Sequence, residues 1–179
     1  LRGTENLMMD LAWGVPEVYR LRDMVHEFNL RNIAMWAATD VDAIGLGDDW
    51  GTQRGLLISP RLWREFYKPL YADYCRLAHA AGKFVFFHSD GHILQVIPDL
   101  IEIGVDVLNP LEPPPMGDLT LAEAFARVGE RMGLEGNLES HDLMLGTPAV
   151  FRPKLEAALA AGAGRRFILC PCSGFDENP

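Results

Sequence analysis

Apolar residues recur at helical spacing through residues 15–37, at Val18, Leu21, Met24, Val25, Phe28 and Ile33, and predict a helix there. Residues 41–46, Val-Asp-Ala-Ile-Gly-Leu, are short and mostly apolar, then give way to Gly47-Asp48-Asp49. That pattern predicts a strand followed by a loop reaching Ile58. Ser59-Pro60 is an N-cap with proline at the first helical position. The helix it opens carries Leu62, Trp63, Phe66, Leu70, Tyr74, Leu77 and Ala78 on one side, with a kink at Pro69 and an end at Gly82.

Phe84 to Phe87 is an apolar run that stops at His88, Ser89 and Asp90 and turns at Gly91, which predicts a second strand. Residues 93–103 predict a helix ended by Gly104 and open to division at Pro98. Residues 105–109 predict a third strand, residues 110–115 a proline-rich loop, and Asp118 the cap of a helix through Val128. Residues 132–134 open a fourth strand that ends in Glu135-Gly136-Asn137. Thr147-Pro148 repeats the cap-plus-proline signal for a helix to Ala161, and Phe167-Ile168-Leu169 is a fifth strand ending in Cys170-Pro171-Cys172.

Strands alternate with helices and no hairpin signal joins two strands. Right-handed βαβ crossovers and a parallel sheet follow. Five strands do not close a barrel. They fit either most of an open doubly wound sheet or the later strands of a (β/α)8 barrel. The chain does not begin with Met and stops in what reads as a loop, so we expect a piece of a longer protein.

Composition narrows the function classes. The 179 residues are 49% apolar and 23% charged, an ordinary globular balance with one domain expected over residues 1–179. The net charge of -9 argues against a nucleic-acid surface, and no apolar run has the length of a membrane span. Cys75, Cys170 and Cys172 are too few and too uneven for a disulfide framework and fit a reducing cytoplasm.

Each predicted strand ends in polar residues: Asp48 and Asp49, His88 and Asp90, Asn109 and Glu112, Glu135 and Asn137, Cys170 and Cys172. In parallel α/β folds these ends share one face, which turns scattered residues into one candidate pocket. His88 and Asp90 are two apart and point to the same side of an extended segment. A histidine, a carboxylate and a thiolate are acceptable zinc donors. Asp48 and Asp49 suit binding of a cationic or hydrogen-bond-donating group, or acid–base chemistry. The same residues also have a purely structural reading. His88 is then a hydrogen-bonding group, the cysteines are small buried apolar side chains, and the aspartates cap a loop.

Several stretches together resemble the uroporphyrinogen decarboxylase superfamily, including its corrinoid- and zinc-dependent methyltransferase branch. They are Asp48-Asp49-Trp50-Gly51, residues 57–66 with Pro69, His88-Ser89-Asp90-Gly91, residues 100–110, Gly136-Asn137-Leu138, and Cys170-Pro171-Cys172 followed by Glu177-Asn178. The resemblance covers nearly the whole chain but only the C-terminal half of the family. It implies a (β/α)8 TIM barrel, of which this chain supplies about the last five strands.

For function, the resemblance implies a methyltransferase that uses zinc to move a methyl group between a corrinoid carrier protein and a thiol acceptor. His88 and Cys172 match two zinc ligands of that branch, and Asp90 stands where it has a cysteine. The implied metal set is therefore His88, Asp90 and Cys172. Asp49, His88 and Asp90 are the implied catalytic residues, and Asp48, Glu112 and Asn137 line the substrate pocket. The resemblance equally admits cofactor-free decarboxylation of uroporphyrinogen in porphyrin biosynthesis, and non-catalytic binding of a corrinoid or tetrapyrrole. It leaves room for a homodimer.

Overall fold

The computed structural model describes residues 2–172. Two helices, α1 (Thr4–Trp13) and α2 (Pro16–Ala37), open the chain. Strand β1 (Ala43–Gly47) leads into a small antiparallel hairpin, β2 (Gly51–Thr52) with β3 (Gly55–Leu56). The Ser59 hydroxyl accepts from the Leu62 N–H and caps α3 (Pro60–Phe66), and α4 (Lys68–Ala80) follows after Tyr67. Then come β4 (Phe84–His88), α5 (Ile97–Ile103), β5 (Val107–Leu111), α6 (Leu121–Val128), β6 (Gly133–Leu138), α7 (Ser140–Leu145), α8 (Pro148–Gly162) and β7 (Phe167–Pro171).

The five long strands form one sheet in the order β1-β4-β5-β6-β7, and every pairing is parallel. Each strand lies beside the next along the chain. A doubly wound sheet would reverse its order at a switch point; this one does not, so it is an arc of a (β/α)8 barrel. The helices cover one face. Val85, Phe87, Leu108 and Leu134 point into that layer and are fully buried, each worth about 1.5–3 kcal/mol of apolar transfer. The side chains of the opposite face alternate with them. There Phe84 is 60% and Ile168 45% exposed. In a closed barrel this face is the packed interior.

Several expectations need correction. α1 and α7 were not anticipated. The loop after β1 contains the β2–β3 hairpin, which has no Asn-Gly or Asp-Gly turn to announce it. The helix expected from Ser59 to Gly82 is two helices, because Pro69 cannot donate a backbone N–H and the chain breaks at Tyr67. The helix expected from Ile93 starts at Ile97, which puts Pro98 in its first turn, where a missing N–H is harmless. Asp118 does not cap α6. Thr120 does, in a capping box with Glu123, while the Asp118 carboxylate accepts from the Leu94 N–H at 3.0 Å. β5 runs two residues further than expected, through Pro110 to Leu111. Glu177 and Asn178 lie outside the described residues.

Candidate metal and substrate site

The sheet register brings the strand ends together. Gly47 pairs with His88, and His88 pairs with Asn109. Asp48 and Asp49 leave β1 beside the end of β4, held there by the Asp48 N–H donating to the His88 carbonyl at 3.2 Å. Ser89 is buried, and its hydroxyl accepts from the Trp50 N–H at 3.0 Å. The hairpin is pinned by the His92 N–H donating to the Thr52 carbonyl at 2.9 Å. This contact requires glycine on both sides. A Cβ on Gly51 would stand 2.2 Å from the Asp90 carbonyl oxygen, and one on Gly91, which is left-handed at φ 77°, would stand 2.7 Å from the Gly51 carbonyl carbon.

Asp49, His88 and Asp90 thereby converge, with one ligand atom from each lying within 4.8 Å of the others. His88 Nδ1 lies 2.7 Å from Asn109 Oδ1. An amide oxygen only accepts, so Nδ1 carries the proton and Nε2 presents its lone pair in the neutral ring. Nε2 sits 3.4 Å from Asp49 Oδ1 and 3.7 Å from Asp90 Oδ2. Three electron-rich atoms facing one another repel unless a cation joins them, either a proton on Nε2 or a metal ion. Asp90 Oδ1 is in addition buried without a partner among the described residues. Burial pushes the Asp90 pKa up, the His88 charge offsets part of that, and Asp49 adds to it.

Around this triad the rim is acidic. Glu112 Oε2 accepts from the Gly91 N–H at 2.7 Å, and burial together with Asp90, Glu139 and Asp49 raises its pKa despite that bond. Asp48 accepts a short hydrogen bond from the Tyr71 hydroxyl, which in turn accepts from Trp50 Nε1 at 3.1 Å. Desolvation raises the Asp48 pKa, the Tyr71 bond opposes that, and Asp49 reinforces it. Tyr67 faces the same carboxylate and is pushed up to about 12, chiefly by burial. Asn137 stands at the end of β6 in a left-handed conformation, φ 106°, rare for a residue other than glycine, and its Nδ2 donates to the Leu111 carbonyl at 3.1 Å.

The structure does not bring Cys172 into the triad. Its Sγ lies 3.5 Å from the Leu111 carbonyl oxygen, and burial pushes the thiol up to about 12. Cys170 Sγ approaches Glu135 Oε1 at 3.4 Å, and that thiol is pushed up to about 11, again mainly by burial. Asp49, expected as a catalytic or substrate-facing residue and not as a metal ligand, takes the third donor place in the cluster. Sequence reasoning missed three roles: Asn109 as the partner that fixes the His88 ring, Tyr71 as the donor to Asp48, and Glu139 as part of the rim. A strand-to-strand register would have found the first. The other two depend on tertiary packing.

The family profile of uroporphyrinogen decarboxylase (URO-D) matches residues 1–176. The uroporphyrinogen decarboxylase of Synechococcus sp. (strain CC9902) is 26% identical over 166 residues, which cover 89% of this chain and 43% of that protein. The corresponding enzyme of Synechococcus sp. (strain CC9605) is 25% identical over 158 residues, 86% of this chain and 42% of its own length. A methyltransferase from Methanosarcina mazei superposes with a TM-score of 0.76 at 19% identity, over 96% of this chain and 48% of that one, a likeness of fold. The chain thus spans less than half the length of these relatives. With the barrel arc and the profile in agreement, the chain belongs to the uroporphyrinogen decarboxylase (URO-D) family.

Proposed function

We propose that this chain carries the metal-binding and substrate-binding rim of a methyltransferase that moves a methyl group between a corrinoid carrier protein and a thiol acceptor. Zinc is the resident metal, held by Asp49, His88 and Asp90. The observation that carries this reading is the His88 ring: Asn109 fixes one nitrogen, and the other faces two carboxylates. The donor chemistry fits zinc, which accepts one imidazole and two carboxylates, and three protein ligands leave a position for substrate. Bound zinc acts as a Lewis acid and favours the thiolate form of a coordinated thiol.

The chain's own residues have distinct tasks. Asn109 sets the tautomer and orientation of His88, the role that outer partners of metal-binding histidines usually play. Asp49 and Asp90 supply two negative charges, which offset a divalent ion. Glu112 and Asp48, with raised pKa values, can hold a proton near the substrate. The Asn137 amide nitrogen is engaged by the Leu111 carbonyl, which leaves its oxygen as the group available to a substrate. The three cysteines are free, which suits a reducing cytoplasm. No helix among the described residues is long and apolar enough to cross a membrane.

A second reading, decarboxylation of uroporphyrinogen, is favoured by the names of the curated relatives. It asks the rim to hold several substrate carboxylates. Asp48, Asp49, Asp90, Glu112 and Glu139 cluster there and repel such a substrate, so arginines from elsewhere in the barrel must outweigh them. The two readings separate in one experiment on the full-length protein. Under the methyltransferase reading it contains zinc and demethylates a methylcorrinoid only in the presence of a thiol. Conversion of uroporphyrinogen to coproporphyrinogen by metal-free protein overturns that reading in favour of the second. Corrinoid binding without thiol-dependent turnover leaves a binding protein.

A further inference from the structure

Beside the acidic rim, with which it shares Asn137 and Glu139, a cavity of about 400 Å³ opens between α6, α7 and α8. Its volume lies in the range of sites that enclose small organic molecules. The walls are apolar: Leu121 from α6, and Phe151, Ala158 and Ala161 from α8. Alanines at Ala157, Ala158 and Ala161 are what leave the space open, since each stops at Cβ where a larger residue would fill it. None of the three proposed metal ligands, Asp49, His88 and Asp90, lines this cavity.

Two features give it chemistry. Glu139, between β6 and α7, contributes to the wall, and its Oε1 is buried without a hydrogen-bond partner among the described residues. The cation at the mouth, Lys154, is already committed to Asp142 through a short ion pair. Glu139 therefore has no cation bonded to its buried oxygen beside the apolar chamber: Lys154 is paired with Asp142, and Lys154 and His141 act on Glu139 only through space. A buried acceptor without a donor is costly, and a ligand that supplies the donor recovers that cost.

We propose that this cavity is a second ligand site and that it takes a small organic ammonium ion. The apolar body packs on Leu121, Phe151 and Ala158, and the cationic nitrogen donates to Glu139 Oε1. Asn137 belongs to both this wall and the rim, so occupancy is felt at the substrate pocket through a shared residue.

The test uses benzylamine and benzyl alcohol, probes of matched size that differ in charge, titrated into the full-length protein with chelator present. Calorimetry reads affinity, and amide NMR shifts locate the site. The expected result is benzylamine binding about tenfold or more tighter than the alcohol, as a charge-assisted bond requires, with shifts at Leu121, Phe151 and Ala158. Glu139→Gln, which keeps the shape, should erase the preference for the amine. Ala158→Leu, which fills the chamber, should abolish binding of both probes; if that variant does not fold, Glu139→Gln alone decides. Equal affinities, no binding of either probe, shifts elsewhere, or an amine preference that survives Glu139→Gln overturns the proposal. Chelation removes metal from the measurement, so this outcome and that of the metal reading are independent.

Discussion

The hydroxyl of Tyr71 joins the fold to the rim, and its removal gives a prediction with a definite size. The Tyr71 ring is 4% exposed and packs edge-on against Phe87 at 5.0 Å and stacked on Trp63 at 6.0 Å. Tyr71→Phe keeps those ring contacts and opens almost no cavity. It takes away the hydrogen-bond partner of the Trp50 indole N–H, in a residue 5% exposed, and the donor to the Asp48 carboxylate. A buried donor left alone costs about 1–3 kcal/mol, and Asp48, at the open edge of β1, recovers its lost bond from water. We expect a loss of about 2 kcal/mol in the full-length protein. In urea, with a slope of about 2 kcal/mol per M, the midpoint falls by about 1 M at unchanged slope. The Tyr71 bond also holds the Asp48 pKa down against burial, so the variant should move that pKa further up, as read by carboxyl NMR. A midpoint shift under about 0.3 M, or an Asp48 pKa that falls, refutes this account of the link.

Asn109→Ala removes the acceptor for His88 Nδ1 and should weaken zinc binding about 10–100-fold by calorimetry; unchanged affinity shows that the ring is positioned by other means. Gly51→Ala forces a Cβ into the Asp90 carbonyl and should displace the hairpin, so that zinc affinity drops while the far-UV spectrum keeps its helical content; wild-type affinity contradicts the glycine argument. Asp48, Asp90 and Glu112 have raised pKa values in the folded protein, so the folded state binds protons that the unfolded chain has released. Their contribution to stability therefore falls as pH rises from the ordinary carboxylate range through the raised values. Asp99 behaves oppositely. Burial disfavours its charge, but bonds from Arg64 and Lys68 outweigh that and hold its pKa low, so its contribution is lost as pH drops below the ordinary range. A urea midpoint measured against pH in metal-free protein should peak in mild acid, and a steady rise to neutral pH contradicts this. This 179-residue chain in isolation exposes Phe84 and Ile168 on the open sheet face and should self-associate; Phe84→Ser with Ile168→Lys should reduce that by light scattering, and a monodisperse parent chain argues against it.

How much the sequence revealed depended on the scale of the signal. The five strands and the helices between them follow from apolar runs bounded by glycine and proline, and the stop at His88-Ser89-Asp90 marked a real strand end. Whether those strands formed an open sheet or an arc of a barrel was not in the periodicity. It depends on strand order, which only pairing in space or family likeness supplies. The site shows the same division. His88 ends β4 and Asp90 follows two residues on, so local sequence found them. Asp49 and Asn109 reach His88 from neighbouring strands through the register, and Cys172, matched by family pattern, buries its thiol against Leu111 instead. Glu139 gave no local sign, because its significance is a lost partner in a cavity that three helices make.

The central claim is that Asp49, His88 and Asp90, and not Cys172, form the metal site. Zinc titration of the full-length protein by calorimetry, with Asp49→Ala, His88→Ala and Cys172→Ala beside the parent, tests it most directly. The account predicts that the first two lose high-affinity zinc and that Cys172→Ala binds as the parent does. Loss of zinc in Cys172→Ala together with parent-like binding in Asp49→Ala would contradict it.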